Sequence, residues 1–161
     1  MSKRATNKET ILISACLLGN KVRYDGKGQE AMYAKMLTEY FNVIPICPEV
    51  DGGLMIPRPK AEIKDGKVIN EKGKDVTSFY EKGAESALKI AQRFHVSLAI
   101  LKERSPSCGS SLIHNGLFDG DLIPGQGITT ALLRKNGIDV ISESQIKDLI
   151  ERKAKEQKDL N

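Results

Sequence analysis

Apolar residues fall in short clusters separated by polar, glycine-rich stretches. Residues 11–15, 42–46, 96–101 and 138–141 are β-prone runs too short for helices, and each predicts a strand. Pro45 inside the second run points to a strand that pairs imperfectly, or to a position where a missing N–H does no harm. Between these runs the period changes. Within residues 29–41, Met32, Tyr33, Met36, Leu37 and Tyr40 recur at helical spacing. Ser78 with Glu81 reads as a capping box opening a helix whose buried face carries Tyr80, Ala84, Ala87, Leu88, Ala91 and Phe94. Residues 127–136, closed by Gly137, form a further helix, and Ser142 with Gln145 opens a last one carrying Ile146, Leu149, Ile150 and Ala154.

Asp65-Gly66 between residues 62–64 and 67–69, and Asn115-Gly116 between 112–113 and 117–118, signal tight hairpins. Strands alternating with helices pair in parallel through right-handed crossovers. The expected fold class is therefore α/β, a three-layer α/β/α Rossmann-like sandwich of about four parallel strands with two hairpin excursions. No repeat or linker divides the chain, so one domain is expected over residues 1–161, with 1–10 and about 155–161 mobile.

Composition narrows the function classes. In 161 residues, 25 basic against 21 acidic side chains leave +4, too small a surplus to mark a nucleic-acid binder. No segment approaches the ~18 consecutive apolar residues of a membrane helix, so no membrane partner is expected. The odd count of 3 cysteines cannot form a closed disulfide framework, which points to the cytoplasm or to thiols held by a metal.

The placement of those cysteines carries the chemistry. Cys16 follows the first predicted strand, Cys47 the second, and Cys108 lies in the loop leaving the third. The crevice outside the carboxyl ends of parallel strands is the usual ligand site, so three thiols distant in sequence are expected to converge there. Free cysteine is often simply buried, and for any one of these that reading is the stronger. For all three at one sheet edge, each beside Gly, Pro or Ser or within a residue or two of them, metal ligation is favoured. Three thiolates suit zinc with an open fourth position, or three irons of a four-iron, four-sulfur cluster with one iron open.

Nearby polar residues supply candidate roles. Glu49, two residues after Cys47, is the candidate proton carrier, sharing a side of the chain with it if the backbone is extended. The loop 102–111 around Cys108 is rich in serine and carries Lys102 and Arg104, a composition suited to an anionic site. Arg23, Tyr24, Asp25 and Arg58 are candidate contacts for a polar substrate. His95 and His114 pair with no cysteine in a recognisable motif, and Gly125-Gln126-Gly127 lacks the pattern of a nucleotide loop.

The blocks ISACLLGNKVRYDGK at 13–27, CPEVDGGLMIPRP at 47–59, GKDVTSFYEKGA at 73–84, KERSPSCGSS at 102–111 and PGQGITTALLRKNGIDVISE at 124–143 resemble a family of small bacterial iron–sulfur proteins typified by thiouracil desulfidase. The resemblance covers roughly residues 11–143. It implies that Cys16, Cys47 and Cys108 ligate a 4Fe-4S cluster with one open iron position, and that Glu49 and Ser105 serve catalysis. It further implies a small-molecule partner, a thiolated base such as 2-thiouracil, whose sulfur the open iron would draw off as a Lewis acid while water adds to the carbon. The products would be the oxo-pyrimidine and hydrogen sulfide. Arg23, Asp25, Arg58 and Ser107 are the substrate contacts expected in these blocks. A three-thiolate zinc hydrolase and a non-catalytic iron–sulfur binding or sensing module stand as the competing readings. The sequence leaves oligomeric state open.

Overall fold

The computed structural model describes residues 8–160. Four parallel strands form the central sheet: β1 (Glu9–Ser14), β2 (Phe41–Ile46), β5 (Leu98–Leu101) and β8 (Asp139–Ser142), in the order β2-β1-β5-β8. The hairpin strands are β3 (Ala61–Lys64), β4 (Lys67–Asn70), β6 (Leu112–His114) and β7 (Leu122–Pro124). The helices are α1 (Pro48–Asp51), α2 (Thr77–Arg93), α3 (Ile128–Lys135) and α4 (Ile146–Leu160).

Alternation along the strands builds two cores. Ile11, Ile13 and Ile100 face Leu17, Leu37 and the Ile146, Leu149 and Ile150 stripe of α4. Leu12, Ala99, Leu101 and Val140 face Ala87 and Ala91 of α2 and Leu133 of α3 on the opposite side. This is the expected α/β/α sandwich, with strand faces set by the two-residue period. Pro45 is tolerated because β2 is an edge strand, paired only with β1. No helix among the described residues is long and apolar enough to cross a membrane.

Chain direction reverses at β1. The first crossover runs outward to β2 over one face, and the second returns past β1 to β5 through α2 on the other. Reversing direction and face together preserves one hand of crossover and opens a crevice at the carboxyl ends of β1 and β5.

Several expected elements differ. The helix expected over 29–41 shrinks to a 3-10 turn, Ala34–Glu39, because Tyr33 adopts φ 69° and interrupts it. Only Ala34 and Leu37 are buried there, at the three-residue spacing of a 3-10 helix, while Met32 and Met36 face solvent. The Ser78 and Glu81 capping box does not form. Asp75 starts α2 instead, its Oδ1 accepting the Thr77 N–H at 2.9 Å and the Thr77 hydroxyl at 2.6 Å. Phe94 lies past the helix end, 48% exposed.

The Asp65-Gly66 hairpin forms as read, both residues taking the positive φ that a two-residue turn needs. The second hairpin pairs β6 with 122–124 rather than 117–118. Side chains stitch the intervening loop: Asn115 takes the Leu117 N–H, Asp119 the Asp121 N–H, and Glu62 those of Gly116 and Phe118. At the amino end, residues 1–7 lie outside the described residues, whereas Glu9 and Thr10 belong to β1. At the other end α4 continues to Leu160, and the Ser142 and Gln145 capping box ahead of it is present.

Candidate functional site

Cys16, Cys47 and Cys108 line one cavity of about 330 Å³ at the carboxyl edge of the sheet. Cys16 sits in a 3-10 turn, Ala15–Leu18, just beyond β1 rather than at the strand end itself. Cys47 directly follows β2, its Sγ donating to the Val22 carbonyl at 3.8 Å. The loop after β5 delivers Cys108, which the Thr130 hydroxyl of α3 fixes through the Cys108 carbonyl at 2.8 Å. Cys16 and Cys108 are buried, Cys47 is half-buried, and none is in a disulfide.

Burial pushes the Cys16 thiol up to about 11, reinforced by neighbouring Cys47, while the charges of Lys102 and Arg23 work against it. Burial likewise raises the Cys108 thiol, with Ser14 opposing as a hydrogen-bond partner, and raises Cys47. Three thiols that resist ionisation on their own become good ligands once a cation compensates the buried charge. Among the described residues no three His, Cys, Asp or Glu side chains stand close enough to share a single metal ion. Three free cysteines lining one cavity match three-cysteine ligation of an iron–sulfur cluster, in which each would bind a different iron.

Glu49 enters the cavity by a different route from the one expected. Pro48 at the first position of α1 turns the backbone helical, so Glu49 and Cys47 are not neighbours along an extended strand. Close backbone contact seats α1 on α2: a side-chain carbon at Gly83 would collide with the Pro48 carbonyl, and one at Gly52 with that of Phe79. This contact brings Glu49 to Tyr80. Glu49 Oε1 accepts the Tyr80 hydroxyl at 2.9 Å and Arg58 Nε at 3.1 Å, and Oε2 accepts the Ser105 hydroxyl at 3.1 Å. Ser105 Oγ in turn accepts the backbone N–H groups of Ser107 and Cys108, both at 3.0 Å. With its lone pairs so occupied, the Ser105 hydroxyl hydrogen is directed at Glu49.

Other expected contacts are placed differently. Arg58 lines the cavity, but its guanidinium is committed to Glu49, to the Val22 carbonyl at 3.0 Å and to the Met55 carbonyl at 3.1 Å. It therefore positions Glu49. Arg23 lines the cavity, bonded to Gln29 at 2.8 Å. Asp25 does not line it; it pairs with Arg23 at 3.7 Å and accepts the Lys27 N–H. Ser107, expected at the substrate, is fully buried and bonded to Thr129 at 2.7 Å, an anchor between the Cys108 loop and α3.

The sequence reading missed several cavity residues. Tyr80 belongs to the core face expected of α2, yet a buried phenol needs a partner, and here it is Glu49. Glu62 carries no motif. Glu103 organises the Cys108 loop: burial alone would raise its carboxyl, but the N–H groups of Ser111 and Leu112 and the hydroxyls of Ser111 and Ser110 outweigh that and hold it at about 2.

Fold and pocket define a doubly wound α/β protein with a three-thiol centre at its switch point and a clamped carboxylate beside it. The family model described as 2-thiouracil desulfurase matches residues 11–145, and the chain belongs to that family. A solved structure of the [4Fe-4S]-dependent thiouracil desulfidase TudS is similar at a TM-score of 0.85 and 46% identity, covering 90% of this chain and 97% of that one. The uncharacterized protein YbbK of Bacillus subtilis (strain 168) is 40% identical over 150 residues, 87% of this chain and 99% of that protein.

Proposed function

We propose that this chain is an iron–sulfur-dependent desulfidase that converts a thiolated pyrimidine of the 2-thiouracil kind, with water, to the oxo-pyrimidine and hydrogen sulfide. The observation that carries the reading is the convergence of Cys16, Cys47, Cys108 and a three-fold clamped Glu49 on one cavity. The likeness to TudS supports the cluster as cofactor. Cys16, Cys47 and Cys108 hold it, leaving one iron free of protein. When bound, the cluster supplies a Lewis-acidic iron with affinity for sulfur, which makes the thiocarbonyl carbon more electrophilic.

The protein's own groups manage water and protons. Overall a C–O bond forms, the C–S bond breaks, and both hydrogens of water depart on sulfur, so no electron donor is consumed. Glu49 is the proton carrier: its carboxylate takes a proton from attacking water and returns it to the departing sulfur. Ser105 holds Glu49 Oε2 and ties it to the ligand loop, while Arg58 and Tyr80 hold Oε1. Arg23 lines the cavity as a cation for the polar substrate. Free thiols throughout the described chain favour a cytoplasmic setting.

The test is turnover of 2-thiouracil by anaerobically reconstituted protein in oxygen-18 water without reductant. Hydrolytic desulfidation predicts one sulfide for each uracil, with one heavy oxygen in the ring carbonyl. A requirement for reductant, or uracil without label, contradicts it.

A further inference from the structure

Besides Glu49 and Glu103, the cavity is lined by a carboxylate that the desulfidation chemistry leaves unused. Glu62 of β3 is only 4% exposed, yet it lines the cavity. Its Oε1 accepts the Gly116 and Phe118 N–H groups at 3.0 and 3.1 Å. Its Oε2 has no hydrogen-bond partner among the described residues, which leaves one oxygen of a cavity-lining carboxylate free for a ligand.

His114 stands on the same wall, at the end of β6 and two residues from the loop that Glu62 latches. Its Nδ1 is buried without a partner. Placing a ring hydrogen on Nε2 leaves Nδ1 as an acceptor and avoids a buried N–H without a partner. Nε2 has no protein hydrogen-bond partner among the described residues, and the residue lines the cavity.

We infer that Glu62 and His114 recognise the lactam edge of the substrate: Glu62 Oε2 accepts a ring N–H and His114 Nε2 donates to the adjacent carbonyl oxygen. The substrate class is a thiolated pyrimidine that carries an –NH–C(=O)– edge, as 2-thiouracil does and 2-thiocytosine does not. The inference rests on the desulfidase reading. It adds a specificity determinant, since a buried carboxylate facing another acceptor, or a base without the N–H, is left unpaired.

Glu62→Gln reverses the polarity of that wall. Gly116 and Phe118 require an acceptor, so the amide oxygen stays on the loop and the amide NH2 group turns to the cavity. The measurement is kcat and KM of the anaerobically reconstituted wild type and variant for 2-thiouracil and 2-thiocytosine, with calorimetric binding of 2-thiouracil to both proteins. The expected result is at least about a tenfold loss of kcat/KM for 2-thiouracil, carried mainly by KM, and a rise in the 2-thiocytosine to 2-thiouracil ratio. Equal losses on both bases would make Glu62 a loop anchor only and overturn the inference, as would no loss on either. If the wild type releases no sulfide, the desulfidase reading fails by itself, and calorimetry decides the recognition. Weaker binding to the variant then supports it, and equal binding or none to the wild type overturns it.

Discussion

The Ser105 hydroxyl oxygen accepts the backbone N–H of Cys108 at 3.0 Å. Because the same hydroxyl donates to Glu49 at 3.1 Å, the loop that carries one thiol and the Glu49 carboxylate are parts of one hydrogen-bonded unit. The position of Glu49 is therefore coupled to the presence of a properly folded ligand loop.

Glu49→Gln removes the proposed proton carrier without removing a thiol. It is expected to retain cluster iron and sulfide while slowing sulfide release by about a hundredfold or more. Single-turnover release by the reconstituted variant checks this, and unchanged turnover would take Glu49 out of the chemistry.

Ser105→Ala leaves two backbone N–H groups without their acceptor and Glu49 Oε2 without its donor. Turnover is expected to fall about tenfold or more, chiefly in kcat, because the lost bond orients the proposed proton carrier. Partial recovery in Ser105→Thr, which restores the hydroxyl, is the accompanying check.

Much of this site was legible in the sequence. Short apolar runs located the four sheet strands, and the positions of Cys16, Cys47 and Cys108 after three of them placed the thiols at one edge. What was not legible depends on contacts between distant segments. Tyr80 looks like any buried aromatic until the backbone contact of α1 with Gly83 brings Glu49 beside it. Arg58 and Ser107 sit in the right motifs, but their hydrogen bonds go to Glu49 and Thr129, partners 9 and 22 residues away. The 29–41 segment has a helical period, yet the positive φ of Tyr33 confines regular structure to one 3-10 segment.

Gly83→Ala tests the seating of α1 on α2. The added methyl collides with the Pro48 carbonyl, a backbone atom that cannot step aside cheaply. A loss of about 1–3 kcal/mol of stability is expected in denaturant unfolding, with a further fall in turnover as Glu49 is displaced. Full stability and activity together would show that this contact does not position the site.

Glu103 gives the protein an acid dependence. Its carboxyl is held at about 2 in the fold against an ordinary value of 4.5, so the stabilisation is complete above the ordinary value and is lost as pH falls toward the folded one. Denaturation midpoints at about pH 6 and about pH 3 should converge in Glu103→Gln relative to wild type, the variant being the less stable at the higher pH. Parallel pH profiles for the two proteins would contradict this.

The central claim is that three cysteines hold a four-iron, four-sulfur cluster at which sulfur is removed from a thiolated base. Its most direct test is to count iron, acid-labile sulfide and zinc per chain after anaerobic reconstitution of wild type and Cys108→Ala, then add 2-thiouracil and follow sulfide. The expected outcome is about four irons and four sulfides with sulfide release in the wild type, and loss of both cluster and release in the variant. Stoichiometric zinc in the wild type, or a full cluster retained by Cys108→Ala, would contradict the account.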